Sequence, residues 1–116
     1  MKKRYVPKNI RDKVKAKFNG HCGYCGEKPD RLCIDHIHPF SDYRKGEEIN
    51  NIENLMPSCF KCNNYKLTWS LEQFRSNLQD QVKLARRHSV NFRFAEKYGL
   101  IEVKEKPIKF YFERTK

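Results

Sequence analysis

Two Cys-x-x-Cys pairs constrain the folding of this chain more than any other feature of its sequence. Cys22 and Cys25 form the first pair, and Cys59 and Cys62 form the second. Together they supply the four thiolates of a closed, tetrahedral zinc site. The alternative is a thioredoxin-like redox pair, but neither pair lies in a βαβ pattern. The spacing therefore predicts one structural zinc site and leaves Cys33, which lies among apolar residues, as a packing cysteine.

The size and composition predict a small folded domain that a metal would help to stabilise. The 116 residues suffice for one domain, but only 38% of them are hydrophobic, so the core must be small. Eight Phe, six Tyr and one Trp distinguish the chain from disordered sequences. No apolar segment approaches the roughly 20 residues of a membrane-spanning helix, and none follows the basic first residues as in a secretory signal. We therefore expect a cytoplasmic protein with no membrane partner.

The net charge of +11 predicts a polyanionic partner. Residues 1–28 contain nine Lys and Arg against two Asp and Glu, and residues 67–116 contain eleven against six. Residues 29–66 contain five against six and are nearly neutral. This distribution suits an enzyme whose basic flanking segments bind the phosphates of a nucleic acid and whose nearly neutral middle segment binds metal cations. On charge alone, a basic surface that binds RNA without catalysis remains the alternative.

The pattern of apolar residues predicts an α+β fold for the first half of the chain. The expected elements are a helix over 10–18, strands over 31–37 and 52–56, and a helix over 59–66. Asn9 and Ser58 are the expected N-caps of the two helices. Pro57 is expected to end the second strand, and the polar segment between the strands is expected to be a loop.

The second half is predicted to be a helical extension. Apolar residues recur at steps of three and four over 71–85, which is typical of one face of a helix. A further helix is expected over 90–98, ended by Gly99. The segments 101–103 and 108–112 are short and apolar, a pattern compatible with a closing β-hairpin.

Polar residues beside the cysteines have the chemistry of a metal-assisted hydrolase. Asp35 and His36 are adjacent near the end of the first predicted strand. A carboxylate is a hard ligand suited to Mg²⁺ or Mn²⁺, and a neutral imidazole can accept a proton from water near pH 7. Asn63 follows Cys62 on the predicted helix. Because successive helical residues point about 100° apart, zinc binding would fix the direction in which Asn63 points.

Taken together, these residues resemble the HNH endonuclease family, which has a ββα-metal fold. The resemblance runs through the segments Cys22–Gly26, Ile34–Pro39, Asn54–Leu55 and Cys59–Lys66. It implies an α+β domain in which a ββα-metal core, over about residues 19–68, is stapled by the four-cysteine zinc site. An N-terminal helix would precede this core and the extension 69–116 would follow it, within a single domain over residues 1–116.

The resemblance also implies roles for individual residues. His36 would be the general base, Asn54 would orient the loop that carries His36, and Asn63 would ligate a catalytic divalent ion together with Asp35. Asn63 stands where the family's last histidine is found. An amide oxygen in that place favours Mg²⁺ or Mn²⁺ over a second zinc ion. Lys66 would contact phosphate.

The implied activity is that of a metal-dependent DNA endonuclease, which hydrolyses phosphodiester bonds by nicking or by double-strand cleavage. Arg44 and Lys45, in the predicted loop, add two candidate phosphate contacts. A monomer would nick DNA, whereas double-strand cleavage would need a homodimer or a second encounter. Two alternatives stay open: a non-catalytic zinc module that binds nucleic acid, and a nuclease active only with partners in a phage packaging or defence complex, in a bacterial or phage-infected cell.

Overall fold

Two short antiparallel strands and the helix that follows them form the centre of the fold. The computed structural model describes residues 6–38 and 50–115. Its elements, in chain order, are α1 (Lys8–Lys15), β1 (Cys33–His36), β2 (Leu55–Ser58), α2 (Phe60–Lys66), α3 (Leu71–Gln79), α4 (Gln81–His88), α5 (Val90–Lys97) and α6 (Tyr111–Arg114). A 3-10 turn over Ile52–Asn54 leads into β2. This order confirms the predicted α+β class with a ββα core.

The register of the sheet places the polar residues of interest at the end of a strand. β1 and β2 pair so that Asp35 lies opposite Met56 and His36 lies opposite Leu55. Pro57 lies within β2 and does not end the strand as predicted. Both strands of a two-stranded sheet are edges, and an edge strand tolerates proline because one side of it needs no ladder hydrogen bond. Asp35 and His36 are the last two residues of β1.

A small apolar core joins α1 to the sheet. It consists of three buried residues with three partly buried residues packed against them: Val6, Val14, Leu55, Ile10, Ile34 and Ile52. The first predicted helix is confirmed, with Ile10 and Val14 in the core, but its predicted end is wrong, because α1 ends at Lys15 and not at residue 18. Its N-cap is Pro7 and not Asn9. Proline suits this end of a helix because its fixed φ and missing N–H cost nothing there.

Helix α2 begins at the second Cys pair. Cys59 is its N-cap, and the Cys59 sulfur accepts a hydrogen bond from the backbone N–H of Cys62. Ser58, the predicted cap, lies in β2 and donates its hydroxyl to the carbonyl of Cys59. After α2, Leu67 has a φ of 51°, a left-handed conformation that interrupts the helical repeat. The first turn of α2 is thus tied directly to a cysteine sulfur.

The chain divides into two compact units. Unit 1 comprises the described parts of Met1–Leu71 together with those of Lys109–Lys116, and unit 2 is Glu72–Ile108. Unit 1 contains the sheet and all the residues proposed above for catalysis and zinc binding that the structure describes. The single domain over residues 1–116 remains a prediction.

Unit 2 is helical, as predicted, but its first helix is interrupted. The helix predicted over 71–85 is wrong in its extent, because Asp80 separates α3 from α4 and takes the N-cap position of α4. Aspartate is a weak helix former in a helix interior, although the Asp80 side chain makes no capping hydrogen bond. The helix predicted over 90–98 is confirmed as α5, which is capped by Ser89 and followed by Gly99 with a φ of 74°.

The C-terminal end of the chain forms a helix and not the predicted β-hairpin. Residues 101–110 contain no strand, and α6 follows them. The backbone N–H groups of Tyr111 and Phe112 donate to the carbonyls of Tyr24 and Gly23, at 2.9 Å each. Each N–H can serve only one strong acceptor, so these two donors are committed to the first Cys pair. The hairpin prediction is therefore wrong, and residues 109–115 complete unit 1.

Within residues 6–38 and 50–115, no helix combines the length and the apolar character needed to cross a lipid bilayer.

Candidate active site and metal centre

The four paired cysteines lie together in unit 1. Their Sγ atoms all lie within 4.8 Å of one another, and those of Cys25 and Cys59 are 3.8 Å apart. In each pair, the backbone N–H of the second cysteine donates to the sulfur of the first. The N···Sγ distances are 3.5 Å from Cys25 to Cys22 and 3.4 Å from Cys62 to Cys59. The predicted grouping of these four residues is confirmed, and Cys33 lies outside the group.

The four thiols cannot all ionise without a cation between them. A hydrogen bond from Cys62 lowers the pKa of Cys22 to about 4 and raises the pKa of Cys62 itself. Burial raises the pKa of Cys25 to about 11. Of these three thiols, Cys22 is the one whose ionised form is favoured at neutral pH. A tetrahedral dication accepts four thiolates at once, so the arrangement fits a structural metal such as zinc.

A buried ion pair joins the end of β1 to α2. The Oδ2 atom of Asp35 accepts a hydrogen bond from the Tyr24 hydroxyl at 2.6 Å and lies 3.0 Å from the Lys66 ammonium. The side chains of Lys66 and Asp35 are only 0% and 6% exposed. The Lys66 ammonium also donates to the backbone carbonyl of His36 at 2.9 Å. One lysine of α2 thus holds both of the last two residues of β1.

Opposing effects act on the Asp35 carboxyl. Burial is the largest effect and raises the pKa of Asp35 above its usual value, although the Tyr24 hydroxyl and the Lys66 ammonium each lower it. An ordinary aspartate has a pKa of about 3.9, and the ammonium at 3.0 Å stabilises the ionised form, so we treat Asp35 as a carboxylate at pH 7. Burial and the charge of Asp35 raise the pKa of Tyr24. Tyr24 is therefore a neutral hydrogen-bond donor to that carboxylate.

Lys66 is an internal counter-ion in this structure, and the phosphate contact that the resemblance implies for it remains a prediction. Its ammonium is enclosed by protein and binds Asp35 and the His36 carbonyl. Lysine is almost never fully buried without a paired charge, and Asp35 provides that charge. The exposed lysine of α2 is Lys61.

Replacing Tyr24 by phenylalanine should destabilise unit 1 by about 1–3 kcal/mol, because it removes a hydrogen-bond donor from a buried carboxylate. The aromatic ring, which packs edge-to-face on Phe110 with centroids 5.4 Å apart, would be retained. Urea unfolding followed by circular dichroism measures the change. Tyr98→Phe removes a hydroxyl from a side chain that is 71% exposed and should leave the midpoint unchanged. Equal midpoints for Tyr24→Phe and the wild type would contradict a supporting role for this hydroxyl.

His36 is held by a residue that the sequence did not single out. Its Nε2 atom lies 2.9 Å from Oδ1 of Asn50, and the imidazole is half-buried. An amide oxygen accepts but does not donate hydrogen bonds, so Nε2 carries the hydrogen of this contact. The lone pair of Nδ1 is then the site on the ring that can accept a proton.

Asn54 joins the segment after β1 to the turn before β2. Its Oδ1 accepts a hydrogen bond from the backbone N–H of His38 at 2.9 Å, and its Nδ2 donates to the His38 carbonyl at 3.3 Å. The backbone carbonyl of Asn54 also accepts from the N–H of Ile37 at 2.9 Å. Asn54 is buried, and it fixes the two residues that follow His36. Its predicted role in catalysis remains a prediction.

The structure says less about the three other predicted site residues, Asn63, Arg44 and Lys45. Asn63 lies in α2, half-buried, one residue after Cys62 and bonded through its backbone N–H to the carbonyl of Cys59. Its joint ligation of an ion with Asp35 remains a prediction. Arg44 and Lys45 lie outside the described residues.

Sequence reasoning missed Tyr24 and Asn50. Tyr24 lies between two cysteines. The intervening residues of a Cys-x-x-Cys pair can be of any type, so only the fold reveals the contact between Tyr24 and Asp35. Asn50 lies at the end of the long polar segment, four residues before Asn54. The pair Asn50-Asn51 could have indicated an ordered turn before β2, because asparagine is common in turns and Asn51 caps the 3-10 turn there.

A sheet of two antiparallel strands, a following helix and a four-cysteine cluster define a small ββα domain of the metal-binding type. Residues 22–67 match the family model of the HNH endonucleases. This segment contains both Cys pairs and the whole ββα element, so the resemblance to the HNH endonuclease family is confirmed over these residues. Neither the curated proteins nor the solved structures gave a significant match. The family supports a nuclease-type function with nucleic acid as the substrate.

Proposed function

We propose that this protein is a metal-dependent DNA endonuclease in which His36 is the general base. The observation that carries this proposal is the imidazole at the end of β1, where Asn50 binds its Nε2 atom and Lys66 binds its backbone carbonyl. The Asn50 contact restrains the imidazole, and the Lys66 contact restrains the backbone that carries it. Together they favour one direction of the lone pair, which is what proton transfer from an attacking water requires.

The substrate is proposed from charge and from the family. A net charge of +11 favours a polyanion, and a neutral centre between basic flanks leaves room for cations beside the phosphate. In the proposed reaction, His36 takes a proton from a water molecule that attacks phosphorus in line with the leaving 3′ oxygen. The products then carry 5′-phosphate and 3′-hydroxyl ends. Arg44 and Lys45 are proposed as phosphate contacts.

Two classes of metal are proposed. Zinc in the four-cysteine cluster would fold the domain, and the close sulfurs within 4.8 Å fit it. A single Mg²⁺ or Mn²⁺ ion would be held by Asp35 and Asn63, whose oxygen atoms suit hard cations. When bound, such an ion supplies charge stabilisation to the phosphate and the leaving oxygen. Among the described residues, both contacts of the Asp35 carboxylate are made by Oδ2, which leaves Oδ1 as the oxygen for the ion.

Incubation of the purified protein with supercoiled plasmid tests the proposal. We expect conversion to the open-circular form in the presence of Mg²⁺ or Mn²⁺ and none in EDTA, at a concentration of chelator that leaves the tightly held zinc in place. Gel electrophoresis separates the two forms. A zinc-loaded, folded protein that leaves the plasmid supercoiled with either ion would refute the proposal. A homodimer, and a partner in a phage packaging or defence complex, remain predictions.

Replacing Asn50 by alanine should lower kcat for nicking about 10- to 100-fold, because the base would lose one of its two supports and sample unproductive directions. Asn50→Asp retains an acceptor oxygen for the Nε2 hydrogen and should keep more of the rate than Asn50→Ala. Initial nicking rates at saturating DNA provide the measurement, and the KM for DNA should change little. If Asn50→Ala matches the wild-type kcat, the contact with Nε2 has no role in orienting the base.

A further inference from the structure

Helix α5 turns an apolar, aromatic face to the solvent. Val90, Phe94 and Tyr98 recur every four residues and are 55%, 53% and 71% exposed. We call these three residues the α5 face. Exposed apolar side chains are common singly, but a contiguous row on one helix marks a binding surface more often than a free one. The proposed nuclease chemistry makes no use of this helix.

The opposite side of α5 is committed to contacts with α4. Glu96 pairs with Arg86 through two contacts, at 2.6 Å and 3.0 Å. Arg93 donates to the backbone carbonyls of Arg86 and Arg87, at 2.7 Å and 3.1 Å. Since successive residues of a helix are about 100° apart, Glu96 lies about 200° from Phe94. These contacts fix α5 so that the α5 face points away from α4.

The charges around the α5 face favour an anionic occupant. Lys97 borders the face, because it lies three residues after Phe94 on the helix, and the one carboxylate of α5, Glu96, is already paired with Arg86. The neighbouring last turn of α4 is also basic, with Arg86, Arg87 and His88. A second copy of this chain would bring like charges together across a shared α5 face, which is unfavourable.

The aromatic rings point to nucleobases as the apolar part of that occupant. The rings of Phe94 and Tyr98 lie nearly parallel, with centroids 6.2 Å apart and an interplanar angle of 14°. Exposed aromatic rings beside cations are the combination with which proteins bind single-stranded nucleic acid, because every base has a face that can stack. We propose that the α5 face of unit 2 binds single-stranded nucleic acid, with unpaired bases on Phe94 and Tyr98 and phosphates near Lys97. This function is additional to the proposed cleavage and does not depend on it.

A leucine variant separates base stacking from ordinary apolar docking. Phe94→Leu/Tyr98→Leu keeps apolar side chains on the α5 face but removes both rings. We expect it to weaken binding of a fluorescent oligo-dT strand about tenfold or more, from the usual contribution of base–aromatic stacking. Fluorescence anisotropy of the full-length, zinc-loaded protein, without added Mg²⁺ or Mn²⁺, measures the affinity without cleavage. Leu84→Ala, at another exposed apolar side chain of unit 2, is the matched control and should bind like the wild type.

Several outcomes would overturn the inference. Unchanged oligo-dT affinity in the leucine variant, or an equal loss for blunt duplex DNA, would exclude stacking of unpaired bases on this face. Displacement of oligo-dT by polyglutamate at equal charge would indicate an acidic protein partner. Sedimentation velocity that shows a wild-type dimer and a monomeric Phe94→Ala/Tyr98→Ala variant would identify a second copy as the occupant.

The test distinguishes this inference from the proposed nuclease. Plasmid nicking that fails in the wild type, together with ring-dependent binding of oligo-dT, would refute the nuclease and support the α5 face. Normal nicking, together with oligo-dT binding that does not depend on the two rings, would support the nuclease and refute the inference about the α5 face. Hydrolysis of a small chromogenic phosphodiester should be equal in the wild type and the leucine variant, since neither ring belongs to the proposed catalytic residues.

Discussion

Replacing Cys59 by serine should abolish the cooperative unfolding transition of unit 1. Its sulfur belongs to the four-cysteine cluster and also caps α2, where it accepts the N–H of Cys62. Binding of structural zinc contributes about 10–16 kcal/mol in small zinc domains, which equals or exceeds the roughly 5–15 kcal/mol of total stability of an ordinary domain. The ββα unit, with its small apolar core, has little else to replace that contribution. Removal of zinc from the wild type with a strong chelator should have the same effect.

Cys33→Ser provides the matched control for the Cys59 variant. Cys33 lies on β1 and outside the cluster, so its replacement should leave the zinc content at one ion per chain and shift the melting temperature only slightly. Thermal denaturation by circular dichroism and elemental analysis of zinc measure both quantities. A Cys59→Ser protein with a native melting transition and full zinc content would show that the cluster is not a structural metal site.

Replacing His36 by alanine should lower the nicking rate about 10²- to 10⁴-fold, the usual contribution of a general base. The substitution should not unfold the protein, because the Lys66 ammonium binds the backbone carbonyl of residue 36 and because the imidazole is only half-buried. Loss of activity in a protein with wild-type melting and zinc content would then reflect chemistry and not folding. Initial rates of plasmid nicking with Mn²⁺ measure the effect.

His38→Ala separates a specific role of His36 from a general effect of removing an imidazole. His38 is exposed, and Asn54 binds its backbone N–H and carbonyl, which alanine would retain. We expect the His38 variant to keep most of the wild-type rate. Equal nicking by His36→Ala and the wild type would remove His36 from the mechanism, and a large loss in both variants would point to metal or phosphate binding by the pair.

Local spacing was sufficient to predict the parts of the site that depend on short stretches of chain. Cys22 and Cys25 lie three residues apart, as do Cys59 and Cys62, and each pair makes its own N–H···S contact. The strand that carries Asp35 is also encoded locally, by a short apolar segment with a polar end. The grouping of the two pairs into one cluster followed because four thiolates share one preferred ion.

The supporting contacts could not be predicted because they join distant segments. Nothing near Tyr24 in the sequence indicates that its hydroxyl reaches Asp35, and nothing near Lys66 indicates that its ammonium is buried. On charge alone, a lysine at the end of a helix is expected to face solvent or phosphate. Its burial became favourable only because the fold places a carboxylate 3.0 Å away, which is a tertiary effect.

The mistaken C-terminal hairpin has a similar cause. Phe110 and Phe112 alternate with Tyr111 and so resemble a strand, but Phe110 is 1% exposed and its ring lies edge-to-face on Tyr24. The aromatic side chains that suggest a strand are used to cover the first Cys pair. Gly26 meets the same segment, since a Cβ atom built there would lie 2.7 Å from the Tyr111 ring.

The return of the last residues to unit 1 leaves both ends of unit 2 joined to the same unit. The polypeptide leaves unit 1 after Leu71 and re-enters it at Lys109, so unit 2 is an insertion and not a tail. Doubling the length of such an insertion costs only about 0.6 kcal/mol of closure entropy. We therefore expect lengthening of residues 72–108 to leave the cysteine cluster of unit 1 intact.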